Sequence, residues 1–241
     1  MNKQSSLFQN AYHSILFLCF CTLLGACSNS TQEEKFIAQM YKQSIDSGDY
    51  ATAAGILEHL PISDSSTENS HWQDSLAYVY LKMENYGACE SVCTKLLQKD
   101  SFKVAAIEML ALSLHNQGKI PQAAEAYQRL VPKSRNVHHA YTLAQLQFEL
   151  NQLSSALSTV HFASSLSYLP SDWVEVYIFQ ENKCQRVPVE AALAYLKGLI
   201  LGELNPIQNK QLAKEAYEEA IQVAPDFLMA KRNLADLTDA P

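Results

Sequence analysis

No glycine-rich phosphate loop, nucleophile elbow or zinc-protease helix occurs anywhere in the 241 residues, which removes the commonest signatures of nucleotide, acyl-transfer and metalloprotease chemistry. Bases are outnumbered, with 18 Lys and Arg against 25 Asp and Glu and a formal net charge of −7 at pH 7. That balance argues against nucleic acid, and against docking on an anionic membrane through a basic face. Cysteine is too sparse for a disulfide framework. Of six, Cys19 and Cys21 lie in an N-terminal apolar run, and Cys89, Cys93 and Cys184 make an odd set of internal thiols. The apolar run itself, Ile15 to Leu24, falls short of the about 20 residues a membrane-spanning helix needs.

What that run does have is the order of a secretory signal: one base (Lys3), no acid, a short apolar core, then Gly25-Ala26-Cys27. Leu24-Gly25-Ala26-Cys27 resembles the lipobox of bacterial lipoproteins. The resemblance implies cleavage before Cys27, attachment of lipid (palmitate among the acyl chains) to that residue, and anchoring in the envelope. Two or more acyl chains hold a protein stably where one is marginal. Ser28, rather than Asp, follows the Cys; by the enteric rule the outer membrane is the expected destination. An ordinary signal peptide with Cys27 unmodified is the alternative. Cleavage removes Lys3 alone among the charged residues, so the mature chain is one unit more acidic. The expected organisation is a signal peptide over 1–26, a lipidated Cys and linker over 27–33, and one repetitive domain over 34–241.

The domain is repetitive because one turn signature returns along it: Gly48-Asp49-Tyr50, Glu84-Asn85-Tyr86, Gly118-Lys119-Ile120 and Asn151-Gln152-Leu153. A small residue follows each, at Ala53, Cys89, Ala123 and Ala156, at intervals of 36, 34 and 33. From each small residue a second apolar position lies four on and a third seven on. The triplets are Ala53, Leu57, Leu60; Cys89, Cys93, Leu96; Ala123, Tyr127, Leu130; Ala156, Val160, Ala163; and, in the last third, Ala213, Tyr217, Ala220 before Pro225. Such spacing puts each triplet on one helix face. Gly48, Gly118 and Asn151 suit the left-handed residue that ends the preceding helix, while Glu84 stands where a glycine is expected. Upstream of each turn lies a partner helix with its own apolar stripe, as in Trp72-Leu76-Ala77-Tyr80, and Gly198 is the small contact residue of the last one.

A period in the mid-thirties built this way resembles the tetratricopeptide repeat (TPR). The resemblance covers most of residues 34–237, about five repeats, and implies an all-α, right-handed α-solenoid of helix-turn-helix repeats. Residues 226–237 form the expected C-terminal capping helix. An irregular helical bundle is the alternative. In the TPR family the first helix of each pair lines a concave groove that holds a protein or peptide partner. Carried over by phase, the groove comprises Lys42, Asp74, Tyr78, Lys82, Glu108, His115, His138, Tyr141, Gln145, Glu149 and Tyr195. For each of these a solvated helix face is the plainer reading. The tyrosines are the preferred anchors, and Tyr78 and Tyr141 are expected to be dispensable to the core. The carboxylate clamp of some relatives has no counterpart, because Ala38, Asp74 and Tyr78 occupy its places.

Two stretches break the period. Pro61 to Ser70 is a polar, turn-rich loop. Residues 171–187 are an irregular insertion: Asp172 and Glu175 have capping-box spacing, yet Trp173 to Phe179 are strand formers, and the expectation here is an extra helix. Cys89 and Cys93 are spaced to share a metal but have no second pair beside them, and packing is the better reading. His138 and His139 are adjacent, pointing about 100° apart on a helix, and cannot readily chelate together. No metal and no cofactor is expected. The function that results is a lipid-anchored adaptor that binds another protein, held to the membrane by its lipid. The rival is a glycan- or peptidoglycan-binding lipoprotein, with Trp72 and Trp173 available to stack on sugars. An enzyme is disfavoured.

Overall fold

The computed structural model describes residues 32, 35–60, 70–178 and 181–239. The signal segment, Cys27 and the loop of residues 61–69 lie outside the described residues. The chain divides into two compact units, Met1–Glu84 and Asn85–Pro241.

In the first unit α1 runs over residues 35–46, α2 over Tyr50–Glu58 and α3 over Ser70–Lys82. A Schellman turn ends α1. Gly48, at φ +73°, donates its N–H to Ile45 O (3.0 Å) and Asp49 N–H reaches Ser44 O (2.8 Å). Asp49 then caps α2 by accepting from Thr52 N–H at 3.0 Å. Helix α2 buries Ala53, Ala54 and Leu57 against α3, which contributes Leu76, Ala77 and Val79. Trp72 meets Tyr41 edge-on with ring centroids 6.0 Å apart.

The second unit contains α4 (Tyr86–Lys99), α5 (Val104–Asn116), α6 (Ile120–Ser134), α7 (Val137–Glu149), α8 (Leu153–Ser164), β1 (Trp173–Ile178), β2 (Lys183–Pro188), α9 (Val189–Leu204), α10 (Lys210–Val223) and α11 (Leu228–Asp239). Each helix packs on the next in sequence, and α7 also touches α9. This is an α-solenoid of helix pairs. The Schellman bonds recur at Gly118 (φ +70°) and Asn151 (φ +57°), and Glu84 in the first unit takes the same left-handed conformation at φ +57°. Every triplet position in this unit is buried: Cys89, Cys93, Leu96; Ala123, Tyr127, Leu130; Ala156, Val160, Ala163; Ala213, Tyr217, Ala220. Helix α11 closes the stack, with Phe227 and Ala230 fully buried.

The insertion corrects the expected extra helix. It is an antiparallel β-hairpin in which Trp173 pairs with Pro188 and Ile178 with Lys183. Alternation decided the outcome. Val176, Ile178 and Val187 turn inward, while Trp173, Glu175 and Tyr177 face solvent, a period of two that a helix cannot satisfy. Asp172 caps no helix; its Oδ2 accepts from Leu169 N–H at 2.7 Å. Gln185 of β2 docks the hairpin, accepting from Leu228 N–H (2.9 Å) at the start of α11 and donating to Asp226 O (2.8 Å).

Candidate functional site

The expected groove residues fall in both units. In the first, Lys42, Tyr78 and Lys82 are exposed and Asp74 is half-buried. Lys82 Nζ lies 5.5 Å from the centre of the Tyr78 ring, one helical turn away on α3.

In the second unit the site grows from α5 and α7. Asn136 caps α7 by accepting from His138 N–H at 2.8 Å and His139 N–H at 3.4 Å, which fixes where that helix begins. The two histidines then diverge, as adjacent helical residues must. His139 Nε2 meets Glu108 Oε1 of α5 at 3.4 Å, and His138 Nε2 meets Asp172 Oδ1 at 3.6 Å, just before the hairpin. His139 is more enclosed than a surface histidine, with 15% of its side chain exposed. Burial lowers its imidazole below the ordinary range, against the pull of Glu108. Its ring also lies 6.1 Å from that of Tyr127, whose hydroxyl burial, assisted by Glu108, pushes up to about 12. His138 and Asp172 border a cleft of about 350 Å³ with Tyr168 and Leu169.

His115, Gln145 and Glu149 are exposed on α5 and α7, and Glu108 is half-buried. Tyr141 and Tyr195 are not exposed. At 6% and 7% exposure both belong to the core, which corrects the expectation that Tyr141 stands free of the helix contacts. Gln145 Nε2 donates to the Tyr141 hydroxyl at 3.1 Å. Tyr195 packs its ring 5.0 Å from Phe227 and 5.9 Å from Tyr217, and Asn233 donates to its hydroxyl at 3.3 Å. Each tyrosine buries its ring and satisfies its polar tip, so an aromatic residue in groove phase became part of the packing. Burial raises both phenols, that of Tyr195 to about 12.

Cys89 and Cys93 are fully buried, their sulfurs 3.9 Å apart, in the two helix-contact positions. Among the described residues no group of three or more metal-ligating side chains comes together, and no helix is long and apolar enough to cross a membrane. Sequence reasoning missed the Glu108–His139 and His138–Asp172 pairs, because each joins elements whose approach only the fold decides.

Solved structures place this arrangement. The chain is similar to a MamA protein at 17% identity and TM-score 0.58, over 72% of this chain and 83% of that one. It is similar to MamA from Desulfovibrio magneticus RS-1 at 12% identity and TM-score 0.58, over 80% and 96% of the two chains. A tetratricopeptide repeat protein from Parabacteroides merdae matches at 15% identity and TM-score 0.60, over 86% and 72%. The fold is of the tetratricopeptide repeat type. Identities this low show the fold alone. No protein-family model matches the chain, and no curated protein matches it.

Proposed function

We propose that the chain is a lipid-anchored TPR adaptor of the bacterial envelope, non-enzymatic, that recognises another protein through its odd-numbered helices. One observation carries the reading. The 3.4 Å approach of Glu108 to His139 lays α5 beside α7, and α7 touches α9, so first helices of successive pairs are neighbours in the second unit. On those neighbours His115, Gln145 and Glu149 are exposed, His115 and Gln145 resting on the buried Tyr127 and Tyr141, while Glu108 and His138 are half-buried. A continuous polar surface on a rigid stack suits protein recognition rather than a reaction. Tyr78 and Lys82 of the first unit supply an exposed aromatic with a cation over it, a combination favoured at interfaces. The lipid at Cys27 and the outer-membrane location rest on the lipobox sequence.

Two measurements test the halves separately. Metabolic labelling with a fatty-acid probe should mark the wild-type protein and not Cys27→Ser; equal label on both ends the lipoprotein reading. A photo-crosslinking residue at His115 or Glu149 should give a discrete protein adduct in live cells. The same residue at Glu125, exposed on α6, should give none. An adduct from Glu125 with silence at His115 and Glu149 would move the interface off the odd-numbered helices.

A further inference from the structure

Pro132 interrupts the hydrogen-bond ladder of α6 near its end. Having no N–H, it leaves the carbonyl of Gln128 without its helical donor. Both residues border an open pocket of about 470 Å³ lined by α6 and α8, with α7 contributing part of the wall. The volume is in the range that holds a small ligand.

Gln147 of α7 decides what kind. It is 5% exposed, yet a wall of this pocket is where it lies. Its Oε1 accepts from Thr159 Oγ1 at 2.7 Å, its side chain's one hydrogen bond among the described residues. The amide nitrogen keeps two donors for whatever enters, and leaving them dry would be costly. Around it stand the hydroxyls of Ser154, Ser155, Ser158 and Thr159, and the apolar surfaces of Val131, Leu143 and Phe162. No lining residue is ionisable.

This composition excludes ligands in turn. A charged group would enter without a counter-charge. A wholly apolar one would strand the Gln147 amide and the Ser154 and Ser155 hydroxyls, although the Ser158 and Thr159 hydroxyls already donate to Ser154 O and Gln147 Oε1. An extended peptide would run past a site of this size, whose lining comes only from residues 128–132, 143–147 and 154–162. A sugar ring has one apolar C–H face and a rim of neutral hydroxyls that both donate and accept. We infer that the α6–α8 pocket binds a neutral saccharide of roughly one or two rings. Val131, Leu143 and Phe162 take its apolar face, and Gln147 with the serine and threonine hydroxyls takes its rim. The pocket belongs to the even-numbered helices and α7's inner face, so it is independent of the protein-binding surface proposed above.

The test uses the purified full-length mature protein in a detergent without a sugar headgroup. Glucose, N-acetylglucosamine and their β-1,4 disaccharides are titrated by ligand-observed NMR, with glucuronate as the charged control and an uncharged Ser/Gln-rich heptapeptide as the peptide control. At least one neutral saccharide should saturate below about 10 mM, a weak affinity suited to a small polar ligand in an open site. Gln147→Leu and Ser155→Trp should each weaken it at least tenfold. Ser155 is exposed, so Ser155→Trp fills the pocket from its rim and should keep the wild-type melting curve; it decides the matter should Gln147→Leu fail to fold. The proposal is overturned if no neutral saccharide saturates, if glucuronate binds equally, if Ser155→Trp binds like wild type, or if the heptapeptide binds and the sugars do not.

Discussion

Gly198 of α9 lies so close to Tyr217 of α10 that a β-carbon added to it would stand 2.4 Å from the ring's Cε1. Within an ordinary helix, Gly→Ala gains about 1 kcal/mol of propensity. Here the ring is itself buried, wedged beside Tyr195, and has nowhere to retreat. Gly198→Ala should therefore lower stability by about 1–3 kcal/mol through overpacking. Urea unfolding reads this directly, and a midpoint at or above wild type would show that α9 and α10 can separate without loss.

Glu84 occupies the left-handed conformation that glycine fills at Gly48 and Gly118. A β-carbon there costs about 1–2 kcal/mol, partly offset because glycine loses more chain entropy on folding. Glu84→Gly should raise stability by about 0.5–1 kcal/mol, and Gly118→Ala should lower it by a similar amount. Both sites are open around the backbone or exposed, so no packing change confounds the comparison. Thermal melts of the two variants moving in the same direction would contradict this account of the turns.

How far the repeat could be read in advance follows from such positions. Gly48, Gly118 and Asn151 announce their turns because few residues tolerate positive φ, and the buried triplets announce their faces because small and large residues recur at fixed spacing. The hairpin was less legible. Asp172 and Glu175 imitate a capping box, and only the pairing of β1 with β2 over a buried Val176 and Val187 makes the strand pattern prevail. Tyr141 and Tyr195 were misplaced for a different reason. A tyrosine serves a wet groove or a core equally well, and the choice depends on Gln145 and Asn233 being in reach of its hydroxyl. Gln147 looked like any polar helix residue, because nothing in a sequence marks which glutamine faces a pocket.

Tyr141→Ala and Tyr78→Ala separate the two roles. Tyr141 is 6% exposed, and its loss should cost about 3–5 kcal/mol, as for other large aromatic truncations. Tyr78 is 40% exposed, and its loss should stay within about 0.5 kcal/mol in stability. Denaturant titration of both variants is sufficient. Similar losses at the two positions would mean that exposure does not measure their packing.

Glu90 ties α4 to the turn before α6. Its Oε2 accepts from Lys119 Nζ at 2.7 Å and from Gln117 Nε2 at 2.8 Å. The Lys119 ammonium, with Gln117 adding to it, holds the carboxyl below the ordinary glutamate range. A carboxylate depressed on folding stabilises the fold above its unfolded value of about 4.3, and that contribution disappears as pH falls through the lower folded value. The pair is partly solvated, so Glu90→Gln should cost under about 1 kcal/mol at pH 7. The gap between variant and wild type should close below about pH 4. Stability curves that stay parallel to acid pH would remove the charge from the explanation.

Gln185 of the hairpin ties down the start of the C-terminal cap. Helix α11 begins at Leu228, and Gln185 of β2 satisfies that residue's N–H at 2.9 Å while donating to Asp226 O at 2.8 Å. A second tie reinforces it, from Arg232 Nη2 to Glu181 Oε1 at 2.8 Å. Loss of a helix N-cap costs about 0.5–2 kcal/mol, and a lost acceptor leaves the Leu228 N–H dependent on water. Gln185→Ala should therefore destabilise the protein by about 1 kcal/mol, and the effect should be local. Hydrogen exchange offers the discriminating measurement: the first-turn amides of α11 and the amides of β2 should exchange faster, while those of α5 and α6 keep wild-type rates. The second unit's stability rests on the core from Ile107 to Ala230, of which Gln185 is not a member. Uniform acceleration across the second unit would instead mean that the hairpin supports the whole stack, not only its cap.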